Sequence, residues 1–156
     1  MNKLALLSSI IFAIGCSHNT SQVNSFCTYE GIELDTTNLA QLNENDIIAK
    51  WKLQSVIDLS DCSIYKNPLS DFFYIELEFK ESKQIGGHTT NEFYGTYILE
   101  NKEIQISIST ITEINEQEWG RKFLNAANNT NFVFIEDTML FIFFNQSSEV
   151  MVFTIN

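Results

Sequence analysis

Residues 72–80 read Phe-Phe-Tyr-Ile-Glu-Leu-Glu-Phe-Lys, apolar and polar side chains alternating with a period of two. Phe73, Ile75, Leu77 and Phe79 fall on one parity; Tyr74, Glu76, Glu78 and Lys80 fall on the other. A helix would scatter these residues around its axis, whereas a strand with one buried face sorts them. The pattern puts Glu76 and Glu78 on a wet face, with no burial to raise a pKa for acid–base work.

The same period returns along the chain. In Ala49–Ile57, Trp51, Leu53 and Ser55 share a face, Trp51 as a core residue. Residues 93–99 and 103–108 form a predicted hairpin turning at Asn101, with Ile104, Ile106 and Ile108 alternating. Gly86-Gly87 predicts a bend or bulge, and Gly95, inside an aromatic alternation, a close backbone approach. Residues 131–136, 138–144 and 149–155 predict a meander reversing at Asp137 and Asn145–Ser148. Its inward or partly covered candidates are Phe132, Phe134, Leu140, Ile142, Phe144, Val150, Val152 and Thr154; Phe141 and Phe143 have the opposite parity, so that strand is covered on both faces. One helix is expected from Asn115, with Glu118 completing a capping box and Trp119, Phe123 and Ala126 or Ala127 facing inward. Asn45-Asp46 caps a helical turn, and residues 58–71 read as a long loop. The expected fold is α+β, mainly β: a small curved antiparallel β-roll with one packed helix. A hydrophobic share of 44%, with 13% aromatic, supplies its core.

The first sixteen residues, MNKLALLSSIIFAIGC, pair Lys3 with an apolar stretch about half as long as the roughly 20 residues a membrane span needs. That is the size of an export signal's apolar region. Ala13-Ile14-Gly15-Cys16 resembles the lipobox of bacterial lipoproteins. The resemblance implies cleavage before Cys16 and acylation of Cys16 (thioether-linked diacylglycerol and an amide-linked chain, palmitate among them), an anchor of more than one chain that binds stably. The expected organisation is a lipoprotein signal peptide over 1–15, a lipidated N-terminus and tether over 16–45, and a domain over 46–156. Ser17 is not the Asp that retains many lipoproteins at the inner membrane, so the expected address is the cell envelope, at the outer membrane in a diderm host. His18 reads as a solvated tether residue.

The formal net charge of -11 excludes nucleic acid as a partner, because such binding draws on clustered cations displacing counterions. It also argues against docking on anionic lipid by charge. With Cys16 acylated, Cys27 and Cys62 remain. An oxidising compartment permits a bridge between them, worth about 4 kcal/mol from loop closure; a buried Cys62 with Cys27 free, or two free thiols, are the alternatives. Without a CxxC, and with His88 isolated, no metal and no cofactor is expected.

Trp51-x-Leu53, then Gly86-Gly87-x-x-x-Asn91-x-x-x-Gly95-x-Tyr97, then Ile104–Ile108, Thr110, Glu118 and Phe123-Leu124-Asn125 stand in an order that resembles the META domain, or HslJ-like family, over residues 46–156. The resemblance implies a curved antiparallel roll with a helix against it, and links to envelope stress tolerance. Asn91 and Gly95 carry over as structural residues. Many members place Cys before the asparagine and again after the threonine; here those places hold Thr90 and Ile114 or Asn115, so that cross-link is absent.

Three functional readings follow. The first is a non-enzymatic, membrane-anchored envelope module that supports stress tolerance or integrity by contacting an envelope protein or component. The second is a binder of small molecules or envelope components, with Phe93, Tyr94 and Tyr97 as contact surface. The third is a hydrolase, for which the sequence offers neither a Ser-His-Asp nor a Cys-His arrangement.

Overall fold

The computed structural model describes residues 26–37, 40–68, 74–112 and 115–156, with backbone alone at 110–111. The signal peptide, Cys16, His18, the first part of the tether, Phe72, Phe73 and Ile114 lie outside the described residues. Eleven strands and two α-helices follow in chain order: β1 (Thr28–Tyr29), β2 (Ile32–Glu33), α1 (Glu44–Ile47), β3 (Lys50–Asp58), β4 (Ser63–Lys66), β5 (Glu76–Lys80), β6 (Gln84–His88), β7 (Glu92–Glu100), β8 (Glu103–Ile111), α2 (Glu118–Ala127), β9 (Thr130–Glu136), β10 (Met139–Phe144) and β11 (Glu149–Ile155).

Strands β5 to β11 with β3 close into an eight-stranded antiparallel barrel, because β11 returns to pair with β3 from Glu149↔Asp58 to Ile155↔Trp51. The expected roll is therefore a closed barrel, and closure removes free sheet edges. One seam is thin. Strands β8 and β9 share only the pair Glu103↔Phe132 in register. Beyond it, Ile106 N–H donates to Thr130 Oγ1 at 3.1 Å and Ile108 N–H to Asn128 Oδ1 at 3.2 Å, so residues at and after the end of α2 satisfy the β8 edge.

The two helices close the two barrel ends. Helix α2 buries Phe123, Ala126 and Ala127 into one end. It starts at Glu118, three residues after the expected Asn115, and Gln117 takes the cap position with no side-chain bond. Glu116 turns its carboxylate to Thr89, Thr90 and Asn91 in the loop after β6. Helix α1 buries Ile47 at the other end and accepts the Trp51 Nε1–H at 2.8 Å on Ile47 O. Its first residue follows Asn43, and Asp46 reaches back to accept from Asn43 N–H at 3.0 Å; the expected cap at Asn45 is displaced by two residues.

Three strand expectations change. A bulge opposite Val152/Phe153 inserts Gln54 into β3, so Leu53 and Val56 point inward while Ser55 and Ile57 point outward. Ser55 therefore leaves the Trp51 face. On β9 and β11 the inward residues are Val133, Ile135, Met151 and Phe153, and Phe134, Val150 and Val152 lie outside. Periodicity cannot choose a face when both are apolar. Within the expected loop 58–71, β4 pairs back on the far half of β3, from Asp58↔Ser63 to Ser55↔Lys66.

Residues 26–37, expected as part of the tether, form a strap against the barrel. Glu30 (φ 52°) and Gly31 (φ 89°) make the left-handed turn of a two-residue hairpin between β1 and β2. Cys27 and Leu34 are buried with Ile57, Phe134, Phe141, Phe143, Val150 and Val152 in a second apolar cluster outside the barrel. The run Ile32-Glu33-Leu34 reads as a short strand and its first two residues are β2, whereas the two residues of β1 carry no readable period.

Candidate functional site

The barrel interior holds Trp51, Phe79, Phe93, Tyr97, Phe123, Phe144 and Phe153, each almost wholly buried. Rings of this size fill an eight-stranded barrel. Phe93 and Tyr97, candidates for a ligand surface, are core residues, whereas Tyr94 stays exposed. Chemistry must therefore be sought at the ends and on the outside.

At the α2 end, Glu116 gathers donors from the loop between β6 and β7. Its Oε2 accepts from Asn91 Nδ2 at 2.8 Å and from Thr89 Oγ1, and its Oε1 accepts from Thr90 N–H and Gln117 N–H, each at 3.1 Å. Asn91 is 2% exposed, and its Oδ1 accepts from Thr112 Oγ1 at 3.2 Å. Burial pushes the Glu116 pKa up, but the bonds from Thr89, Asn91 and Thr90 outweigh it and hold the carboxyl below the ordinary glutamate value. Gly120, one turn on, has no Cβ because that atom would stand 1.9 Å from Glu116 Oε1. An ionised carboxylate engaged by four donors positions a loop against a helix.

A second cluster lies outside the barrel on β5. Glu76, expected on a wet face, is 5% exposed. Lys50 Nζ approaches its Oε1 at 3.1 Å and Asn156 Nδ2 donates to its Oε2 at 2.7 Å. The alternation gave its side correctly, but Asn156 and Lys50 cover it. His88 pairs with Glu76 in register and meets the Tyr74 ring edge-on at 4.7 Å, with Lys52 Nζ 4.8 Å over that ring. His88, isolated in sequence, thus sits among ionisable and aromatic groups. Among the described residues no three or more His, Cys, Asp or Glu side chains group to hold a metal.

The strap carries the third feature. Cys27 and Cys62 are disulfide-bonded, with Cα atoms 5.3 Å apart. The bridge ties the start of the strap to the loop between β3 and β4. At the other end of the strap, Lys102 Nζ donates to Thr36 O at 3.1 Å and Leu42 N–H to Asn101 O at 3.3 Å. Between strap and β9 runs an open cleft of about 470 Å³ whose lining includes Ile32, Glu33, Leu42, Phe134 and Glu136.

The sequence-chosen residues thus separate. Trp51 and Tyr97 are core; Gly86 and Gly87 lie in unbroken register on β6, without the expected bend or bulge, Gly95 lies on β7 beside a register shift, and Thr110 on β8 opposite Tyr94. Only Asn91 belongs to a polar constellation. The residues missed were Glu116, Thr89 and Gly120. Their one sequence signal was a glycine four residues after a glutamate at a helix start, which leaves room for that carboxylate to fold back.

No protein-family model matches the chain, and no curated protein does. Two solved structures share its fold. One is the crystal structure of a DUF4847 family protein from Bacteroides vulgatus ATCC 8482, 14% identical, with a TM-score of 0.56 over 70% of this chain and 94% of that one. The other is the NMR structure of a protein from Burkholderia xenovorans, 17% identical, with a TM-score of 0.58 over 80% of this chain and 97% of that one. At such identity the likeness is one of fold.

Proposed function

We propose that this chain is a non-enzymatic lipoprotein of a bacterial envelope, anchored through acylated Cys16, whose META/HslJ-like barrel supports stress tolerance or envelope integrity by contacting another envelope protein. The observation that carries the reading is the Cys27–Cys62 bridge, eleven residues after the lipobox cysteine. Disulfides of this kind persist in oxidising compartments, and this one lies on the segment that leads from Cys16 to the barrel. The ordered residues from Trp51 to Asn125 support the family. The filled interior favours action through the outer surface.

The test expresses the full chain in a bacterial host with labelled palmitate. Label and membrane partition should both be lost in Cys16→Ser. Retention of either in that variant would overturn the anchor. Crosslinking in native membranes should then capture a partner that depends on the barrel domain; its reproducible absence would remove the contact role.

One observation favours an envelope-component binder as the second reading. A cleft of about 340 Å³ is lined by Asn129, Thr130, Asn131, Asn145 and Gln146, and the Oδ1 atom of Asn131 is buried without a hydrogen-bond partner. Amides suit neutral hydroxyl-bearing ligands. A thermal shift with chitotriose, lost in Asn131→Leu, is what this reading requires.

A further inference from the structure

Three clefts on the α2 side of the barrel join into one groove. The first is the amide cleft described above, walled by Asn129, Asn145 and Gln146 among others. The second, about 310 Å³, shares Asn129 and Asn145 with it and continues past Asn125 to Lys122. The third, about 280 Å³, begins at Lys122 and lies between Tyr65 of β4 and Trp119 of α2. The helix sets this alignment. Trp119, Lys122, Asn125 and Asn129 recur at steps of three or four residues, so they fall along one stripe. From Trp119 to Asn129 the stripe runs about 15 Å, room for about three linked sugar rings before the amide cleft is counted.

The two ends of the groove differ in chemistry. At the β4 end the walls are rings. Tyr65 is 48% exposed on its strand, and Trp119 packs partly against the barrel interior, which holds its ring in place. Lys122 Nζ lies 5.2 Å over the Tyr65 ring and 3.5 Å from Glu149 Oε1, so its charge is met within the groove. At the other end the walls are amides, fixed by hydrogen bonds. Asn129 Nδ2 donates to Asn125 O at 2.9 Å, Asn145 N–H to Asn129 O at 3.1 Å, and Asn145 Nδ2 to Glu149. Asn145, Gln146 and Ser147 all take left-handed backbone (φ 51°, 58° and 63°), which costs free energy in residues other than glycine. That turn sets Asn145 and Gln146 side by side on the groove wall. Among the described residues, Trp119 Nε1 and the side-chain amides of Asn125 and Gln146 make no hydrogen bond, and all three line the groove.

We infer that this groove binds a neutral, linear, β-linked glycan that carries acetamido groups. The inference rests on the envelope-component reading given above and deepens it: the ring-walled end at Tyr65 and Trp119 is a further subsite, and the ligand is longer than the amide cleft. A β-linked pyranose chain is straight, as the stripe is, and presents flat C–H faces that stack on aromatic rings. Side-chain amides donate and accept at once, as hydroxyl and acetamido groups do, so the polar wall is matched along its length. The net charge of -11, with Lys122 already paired, repels a chain bearing uronic acids or phosphates. An apolar peptide would find apolar walls at one end alone.

The experiment titrates the full chain, held in a zwitterionic detergent, with chitotriose and chitohexaose, reading affinity by calorimetry and tryptophan exposure by acrylamide quenching. Of the two tryptophans Trp51 is 1% exposed inside the barrel, so the quenching reports on Trp119. Chitohexaose should bind about tenfold tighter than chitotriose and should shield Trp119 from the quencher. Tyr65→Ala, at an exposed position, should bring the hexamer's affinity down to that of the trimer. Trp119→Phe keeps a ring against the core; it should retain hexamer binding by calorimetry and lose the quenching response. Hexagalacturonate should not bind. Equal affinities for trimer and hexamer, with the trimer's thermal shift still lost in Asn131→Leu, overturn the groove and leave the amide cleft standing. No binding of either chitin fragment by the folded parent overturns both. Hexagalacturonate binding as tightly as chitohexaose overturns the assignment to a neutral glycan.

Discussion

Asn91 Nδ2 donates to Glu116 Oε2 at 2.8 Å, joining the loop after β6 to the entry of α2 across twenty-five residues of sequence. The asparagine is buried, so the bond is not exchanged freely for one with water. Asn91→Ala should destabilise the barrel by about 1–3 kcal/mol, the cost of removing one partner from a buried, charged hydrogen bond. Urea unfolding, with the slope against urea unchanged, checks it; a loss within error would mean that Thr89, Thr90 and Gln117 hold Glu116 without Asn91.

The same carboxylate sets a pH dependence. Its folded pKa lies below the ordinary glutamate value. In the unfolded chain the group therefore takes up protons first, and stability falls with pH in that range. The contribution is complete above the unfolded value and disappears as pH drops through the lower, folded one. Glu116→Gln should weaken the protein at neutral pH, because an amide brings donors to where Thr89 and Asn91 already donate. It should also make the acid limb of a stability–pH curve shallower. An acid limb identical to that of the parent would remove Glu116 from the account.

Gly120 offers a test of sign. In an ordinary helix interior, Gly→Ala gains about 1 kcal/mol. Here the new Cβ would stand 1.9 Å from Glu116 Oε1 and 2.4 Å from its Cδ. Gly120→Ala should destabilise, whereas the same change in a Glu116→Ala background should stabilise by about 0.5–1 kcal/mol. Thermal melts of the four proteins close the cycle, and an equal effect in both backgrounds would show that the clash is not with the carboxylate.

Neighbouring glycines on the barrel should separate as clearly. A Cβ at Gly87 would meet Glu76 O at 2.0 Å and one at Gly95 would meet Ser107 O at 2.1 Å, both backbone atoms held in ladders. A Cβ at Gly86 would meet first the end of the Lys80 side chain, at 3.3 Å, which can swing away. Gly87→Ala and Gly95→Ala should each lose several kcal/mol, about the scale of a severe core change, and Gly86→Ala should stay within about 0.5 kcal/mol of the parent. Denaturant midpoints of the three variants decide.

The strand parities of β5, β7 and β8 were legible because each has one polar face, so alternation alone assigns Leu77, Phe79, Ile104 and Ile106 to the core. The both-sided burial of β10 was legible for the same reason in reverse, since Phe141 and Phe143 break the alternation of Leu140, Ile142 and Phe144. The faces of β9 and β11 were not, because the strap covers their outer side with apolar groups and erases the contrast. The single extra residue at Gln54 was equally silent, being a property of register against β11. At the polar cluster only Asn91 could be named, since its partners meet it through closure of the barrel end and not through spacing along the chain.

Tyr97 links the barrel to the opposite lid, and its chemistry gives the last expectation. Its hydroxyl donates to Glu44 Oε1 at 3.1 Å and lies 3.4 Å from Lys80 O, while its ring meets Phe79 edge-on at 5.0 Å. Burial first, then the bond and charge of Glu44, push the phenol up to about 12. The unfolded chain therefore ionises Tyr97 first, near the ordinary value of 10. Stability from this group is complete below that value and is lost as pH rises toward 12. Tyr97→Phe keeps the ring and removes both the bond and the titration. It should loosen α1, seen as faster amide exchange at 44–47, and should flatten the alkaline limb of stability. In the parent, ultraviolet titration should show one tyrosine resisting ionisation until the barrel unfolds. If all five tyrosines of the chain ionise together in the folded protein, the lid is not fastened through this hydroxyl.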